Sequence, residues 1–292
     1  MDRKTFIGGS DIAAVMGMSK WKSPLQLWAE KTGRIEPDDL SGIEAVELGT
    51  ELEDFVAKKF ERKSSLKVRR APKRYICKQF DFMSCQVDRL IEGTDFLLEV
   101  KTCSAWLAKD WEGEEIPKDY ILQVLWQLGI TGRSKGYIAV LIGGQKFSYK
   151  EIDFDEDLFL RMVNQAAAFW EMVKNDDPPA AQGMDNYFIA QLHPKSDEEM
   201  QNMQEMQESI ALLQETKMHI AELEKQKDDI EAKLKQVIGD NLGINTDRYQ
   251  VTWKTQYGAR VDVQLLKDAK IYDQYTMPTQ TRVLRVKLKK EE

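Results

Sequence analysis

Histidine and cysteine, the residues most used for metal cages and nucleophilic catalysis, are scarce here: two of the first and three of the second in 292 residues. Cys77, Cys85 and Cys103 are too few and too irregularly spaced for a disulfide framework, a four-thiolate zinc site or an iron–sulfur cluster. His193 and His219 sit in polar stretches, which argues against a Ser-His-Asp hydrolase. Nowhere do about 18 uncharged apolar residues occur together, so no membrane-spanning helix is expected. The N-terminal residues lack a basic segment leading into an apolar run, so export is not expected either, and the reading is a cytoplasmic protein. No repeat of about 20 to 50 residues is visible, which excludes a solenoid. Any chemistry must therefore rest on carboxylates and lysine.

A hydrophobic content of 42% suits a chain with a sizeable core. The net charge of −7 does not advertise a nucleic-acid binder, yet between Lys58 and Arg74 nine basic side chains stand against the single acid Glu61. Such a patch can track phosphates, or it can be a solvated helix end and loop.

The first half alternates helical and strand signals. In "GGSDIAAVMG" a glycine turn leads to Ser10 as N-cap of a short helix stopped by Gly17. "SPLQLWAEKTG" repeats the grammar with Ser23 as N-cap, Pro24 at the first helical position and Gly33 after the last turn. A third helix is predicted from Glu44 to Lys63, strands near Lys73–Cys77, Phe82–Ile91 and Phe96–Thr102, and a helix from Asp119 to Thr131. Strands at Gly136–Ile142 and Lys146–Asp153 and a helix at Glu156–Lys174 follow, giving an α/β (α+β) core. "NDDPPAAQGMDN" breaks the pattern; beyond it, Ser196 to Val237 reads as one long helix or a helical hairpin, and the tail through "ARVDVQLL" and "TRVLRVKL" alternates like strands.

Two charges in "FLLEVKT", Glu99 and Lys101, interrupt what otherwise reads as a buried strand. If Glu92 to Asp95 form a hairpin with Gly93 and Thr94 at its tip, facing residues sum to 187 and Asp88 lies opposite Glu99, with Lys101 on the same face. Two acids with Cβ atoms about 4.5 to 5.5 Å apart destabilise a sheet unless something positive sits between them. That partner is a divalent cation, for which carboxylates are natural ligands, or Lys101 alone in a structural ion-pair cluster. Glu53 points near the apolar stripe of the third helix and wants a cation, whereas Asp54 reads as solvated. Gln123 is an amide on a mainly apolar helix, able to hydrogen-bond a substrate or a water. Ser10 behind two glycines, with Arg3 seven residues upstream, offers a grip for a phosphate. Together these are the parts required for metal-assisted phosphodiester hydrolysis.

The ordered set "IGGSDIAAVMGMSKWKSPLQLWAEKTG", "ELGTELEDF", "QVDRLIEG", "LLEVKT" and "YILQVLWQLGITG" resembles the YqaJ-like viral recombinases, relatives of the phage lambda exonuclease within the PD-(D/E)xK nuclease superfamily. The resemblance spans roughly residues 1 to 155. It implies a restriction-endonuclease-like core over residues 1–183 with a central mixed sheet flanked by helices, leaving a helical or coiled-coil arm at 184–238 and a small β-containing region at 239–292. It also implies Mg²⁺-dependent digestion of linear double-stranded DNA from the 5′ end, with Mn²⁺ as a substitute and two ions bound. The product is a 3′ single strand for a phage single-strand annealing protein. By the same resemblance Asp88, Glu99 and the Val100 carbonyl hold a metal, Glu53 assists a second, Lys101 orients or deprotonates the attacking water, Gln123 helps position it, and Arg3 and Ser10 anchor a phosphate. A homo-oligomer, in the family a ring-shaped trimer, and a phage or prophage origin in a bacterial host are further implications. The alternatives are an endonuclease of the same fold and a non-catalytic DNA-binding or coiled-coil accessory protein.

Overall fold

A computed structural model of the protein describes residues 2–71, 74–196, 199–277, 279 and 283–286. The chain divides into two units, Met1–Ile189 and Ala190–Glu292.

The first unit is built on a five-stranded sheet in the order β1 (Val68–Arg70), β4 (Arg89–Ile91), β5 (Leu97–Cys103), β6 (Lys135–Ile142) and β7 (Lys146–Asp153). Only β5 and β6 run parallel; every other neighbouring pair is antiparallel. A parallel pair needs a long crossover. Here it is a 3₁₀ segment (Ala105–Trp111) followed by α4 (Lys118–Thr131). β2 (Tyr75–Ile76) and β3 (Ser84–Cys85) form a separate two-stranded ribbon. The strand expected over Phe82–Ile91 is thus two short strands, and the expected strand near Lys73–Cys77 contracts to β2, with Lys73 outside the described residues. β1 was not expected: it turns part of the basic patch into an edge strand, where exposed charge guards against further pairing.

One face of the sheet is covered by α3 (Glu44–Ser64), whose Val56, Ala57 and Phe60 pack on Ile91, Leu98 and Tyr137. The other carries α4. Gly136 on β6 makes that approach possible, since a Cβ there would lie 2.4 Å from Val124 Cγ1 of the helix. β6 is buried along nearly its whole length, as expected of a strand covered on both faces. α5 (Glu156–Lys174) packs on α4, with the Phe159 ring against Trp126. α2 (Pro24–Lys31) starts as its sequence predicts: Ser23 accepts from the Gln26 N–H and Gln26 returns the bond, a capping box.

The helix expected behind Ser10 differs. α1 (Ile12–Val15) is one turn long and its N-cap position is Asp11. The Asp11 carboxylate reaches back to the Gly8 N–H at 3.0 Å, closing the glycine turn and leaving the Ser10 side chain exposed.

After α6 (Asn186–Leu192), the second unit contains the long helix α7 (Gln207–Ile238), a β8 (Gly243–Asn245) and β9 (Gln250–Thr252) hairpin, and α8 (Val263–Asp268). α7 begins later than predicted, and Asp197 and Glu198 of the predicted span lie outside the described residues. α8 corrects the strand reading of "ARVDVQLL": Asp262 accepts from the N–H groups of Gln264 and Leu265, and this cap overrides the alternation. Of "TRVLRVKL", residues 283–286 are described and form no strand, and the other four lie outside the described residues. Among the described residues no helix is long and apolar enough to cross a membrane.

Candidate functional site

The hairpin of β4 and β5 has the predicted register, with Leu90 facing Leu97 and Arg89 facing Leu98. Gly93 takes a φ of 73° in the turn, a conformation that costs glycine least. The ladder stops one residue before Asp88. Its carboxylate replaces the missing backbone acceptor and takes the Val100 N–H at 2.8 Å. Asp88 is thereby held at the strand end, beside Glu99.

Glu99 is 2% exposed. Its charge is met on both oxygens: Oε1 accepts from Lys101 Nζ and from Gln123 Nε2, each at 2.6 Å, and Oε2 accepts from Gln127 Nε2 at 2.7 Å. Gln123 and Gln127 lie four residues apart on one face of α4, close to the sheet. Gln127 also donates to the Gln86 carbonyl at 2.9 Å. Gln127 was not among the expected site residues, although its spacing from Gln123 places both amides on one side of the helix.

Burial, and then the charge of Glu99, push the Asp88 carboxyl up to about 8, against an ordinary value of 3.8. Burial works against a charged Lys101 as well, but the Glu99 charge and hydrogen bond outweigh it and hold the ammonium above the usual lysine range. Lys101 Nζ also lies 5.1 Å from the centre of the Tyr120 ring. The site is thus a buried acid, Glu99, beside a half-buried one, Asp88, with the Lys101 ammonium on Glu99. Among the described residues no three His, Cys, Asp or Glu side chains are gathered to hold a metal by themselves. Two carboxylates nevertheless fit a hard cation such as Mg²⁺, which takes one or two from a protein and keeps several waters. A divalent charge here would offset the burial and the Glu99 repulsion that together hold the Asp88 carboxyl up.

Glu53 already has its cation. It pairs with Arg89, whose guanidinium is buried and also donates to Asp54 Oδ1 at 2.5 Å and to the Asp88 carbonyl at 2.6 Å. Asp54 is exposed, as expected, and bridges Arg89 and Arg70; these contacts hold its carboxyl below the usual range, Arg70 contributing most. Glu53 still lines the same cleft as Asp88 and Glu99.

That cleft has a volume of about 780 Å³, within the range of about 300 to 1,000 Å³ typical of ligand sites. Arg3, Ser10, Arg74, Val100, Lys101 and Gln123 share its walls with the three acids. Arg3 Nη2 lies 3.2 Å from Ser10 Oγ and 3.3 Å from Asp11 Oδ1. Every residue expected at the site is therefore brought to one cavity. Beneath Arg3 lies a pair that sequence reasoning missed: Lys31 Nζ donates at 2.8 Å both to Asp11 Oδ2 and to the Arg3 carbonyl, and both side chains are buried. Nothing in "LWAEKTG" distinguishes Lys31 from a surface lysine. Arg74 stacks over Phe6, 3.9 Å from the ring centre.

Uncharacterized protein YqaJ of Bacillus subtilis (strain 168) is 37% identical to this chain over 279 residues, spanning 92% of the chain and 86% of that protein. The YqaJ-like viral recombinase domain matches residues 1–134. The chain belongs to the YqaJ-like viral recombinase family. Among solved structures it resembles LHK-Exo, an alkaline exonuclease from Laribacter hongkongensis, with a TM-score of 0.51 and 18% identity over 65% of this chain and 96% of that one. The complex of LHK-Exo with dAMP gives the same values. At this identity the likeness is one of fold. It places the YqaJ-like family chain on the alkaline exonuclease fold, with its mixed sheet flanked by helices.

Proposed function

We propose that the protein is a divalent-metal-dependent exonuclease that digests one strand of linear double-stranded DNA from its 5′ end, leaving a 3′ single strand for a phage-type annealing protein. The observation that carries this reading is the Asp88–Glu99 pair, with Glu99 buried and Lys101 beside it, in a cleft that is also lined by Arg3, Ser10 and Arg74. Anionic wall groups alone would repel a phosphodiester; a cleft lined by both cations and an acid pair would allow the backbone and a metal to be held. Family membership and the exonuclease fold support the same activity.

Asp88 and Glu99 would hold the metal together with the Val100 carbonyl, with Glu53 assisting a second ion once it leaves Arg89. Mg²⁺, or Mn²⁺ in its place, supplies positive charge at the scissile phosphate. Lys101 carries its proton here, so its part is to steer a water by donating a hydrogen bond and to offset the charge that builds on the phosphate; acting as base requires that Glu99 first lose its hold on the ammonium. Gln123, fixed on Glu99 Oε1, donates from the α4 side and limits where that water can sit. Arg3 and Ser10 grip a phosphate at the cleft wall. Assembly into a ring-shaped homotrimer would thread the duplex past this site.

The test is digestion of end-labelled linear duplex beside a covalently closed circle. With Mg²⁺ the label is expected to leave 5′ ends while the circle persists, and Glu99→Gln and Lys101→Ala each remove this activity with DNA binding largely retained. Equal cutting of the circle would make the protein an endonuclease. Full activity in excess EDTA, or in either variant, would sink the mechanism.

A further inference from the structure

We propose that α7 pairs, antiparallel, with α7 of a second copy of this chain. The inference uses only the second unit and stands apart from the nuclease reading; a two-fold contact cannot lie within a three-fold ring, so it would join one such ring to another. The helix and its N-cap residue Met206 carry a seven-residue repeat: one set of seam positions is Met206, Leu213, Ile220, Lys227 and Leu234, and the other is Ser209, Thr216, Leu223, Ile230 and Val237. A strict heptad with seven apolar residues in ten is the pattern of a helix that meets another helix, because a period of 3.5 keeps the seam facing its partner. Most of that seam is open here: Ile220 is 49% exposed, Leu223 62%, Ile230 58% and Val237 69%.

Charge decides the orientation. In a parallel, in-register pair Lys227 meets Lys227 inside the seam, and none of the flanking contacts joins opposite charges. Antiparallel packing in which facing residue numbers sum to 443 sets Ile220 against Leu223 and Leu213 against Ile230, and gives Lys227 the hydroxyl of Thr216. Lys217, which looks like an interruption of the apolar series, falls on the flank beside Glu224 of the second copy, and symmetry makes that contact twice. One arrangement therefore removes the like-charge clash and gains two ion pairs.

Cross-linking of the full-length protein tests this directly. Ser209 and Leu234 face each other across the antiparallel seam, whereas the two copies of Ser209 would lie some 37 Å apart at 1.5 Å per residue. Mild oxidation of S209C/L234C is expected to give a covalent dimer, and S209C or L234C alone to give no more than the parent protein with its three native cysteines. As a second measurement that leaves the seam intact, Lys217→Glu is expected to weaken self-association roughly tenfold, and K217E/E224K to restore it, by sedimentation or light scattering. Cross-linking of S209C alone would mean a parallel pair and overturn the proposal. Absence of any cross-link, with self-association indifferent to Lys217→Glu, would mean that α7 packs on its own chain or on another protein, and would equally overturn it.

Discussion

Replacing Asp88 by asparagine should make the metal-free protein more stable at alkaline pH. The folded carboxyl titrates at about 8 and an unfolded aspartate near 3.8, so folding takes up a proton across that interval. Stability is then full below about pH 4 and declines as pH rises towards 8, because the unfolded chain ionises freely while the folded one resists. At about 1.4 kcal/mol per pH unit the full interval sets a ceiling of roughly 5 to 6 kcal/mol, and relaxation with water entry at the cleft reduces the realised value to an estimated 2 to 4 kcal/mol. Asparagine keeps an oxygen for the Val100 N–H and cannot ionise, so the perturbation is confined to the charge. The measurement is denaturant unfolding in EDTA at pH 5, 7 and 9 for both proteins. Their difference should be small at pH 5 and grow in favour of Asp88→Asn by about 2 to 4 kcal/mol at pH 9. A difference that stays flat across this range would refute the argument that burial and Glu99 together suppress the Asp88 charge. Mg²⁺ should reverse the order at pH 8, raising the melting temperature of the parent protein and leaving Asp88→Asn nearly unmoved.

Two further substitutions probe the scaffold. Lys31→Met removes the partner of a buried carboxylate and should cost about 3 to 5 kcal/mol by thermal or denaturant unfolding, with Asp11→Asn/Lys31→Met recovering part of the loss because no lone charge remains. Gly136→Ala drives a methyl into Val124 and should destabilise by about 1 to 3 kcal/mol while lowering nuclease activity, since α4 carries Gln123 and Gln127 to Glu99; combining it with Val124→Ala should restore much of both.

Which features were legible in the sequence follows from how local their causes are. The hairpin register follows from counting outward from a four-residue turn, and the same count sets Asp88 beside Glu99. The Ser23 capping box and the spans of α5 and β7 are likewise set by neighbours within a few residues. Lys31 and Arg89 are not legible because their partners are distant in the chain: Asp11 is 20 residues from Lys31, and Glu53 is 36 from Arg89. The tail misled because alternation in three or four residues is weak evidence against a single well-placed Asp at a helix start.

Arg89 has a consequence for how the cleft can change. A buried guanidinium with one carboxylate could not release it without being stranded, and α3 would be pinned by that single contact. Arg89 instead divides its two terminal nitrogens: one serves Glu53 and the Asp88 carbonyl, the other Asp54. Glu53 can therefore swing towards the cavity while Asp54 keeps α3 tethered to β4. The arginine works as a latch with a spare catch, leaving one acid of the helix at liberty without loosening the wall that carries it.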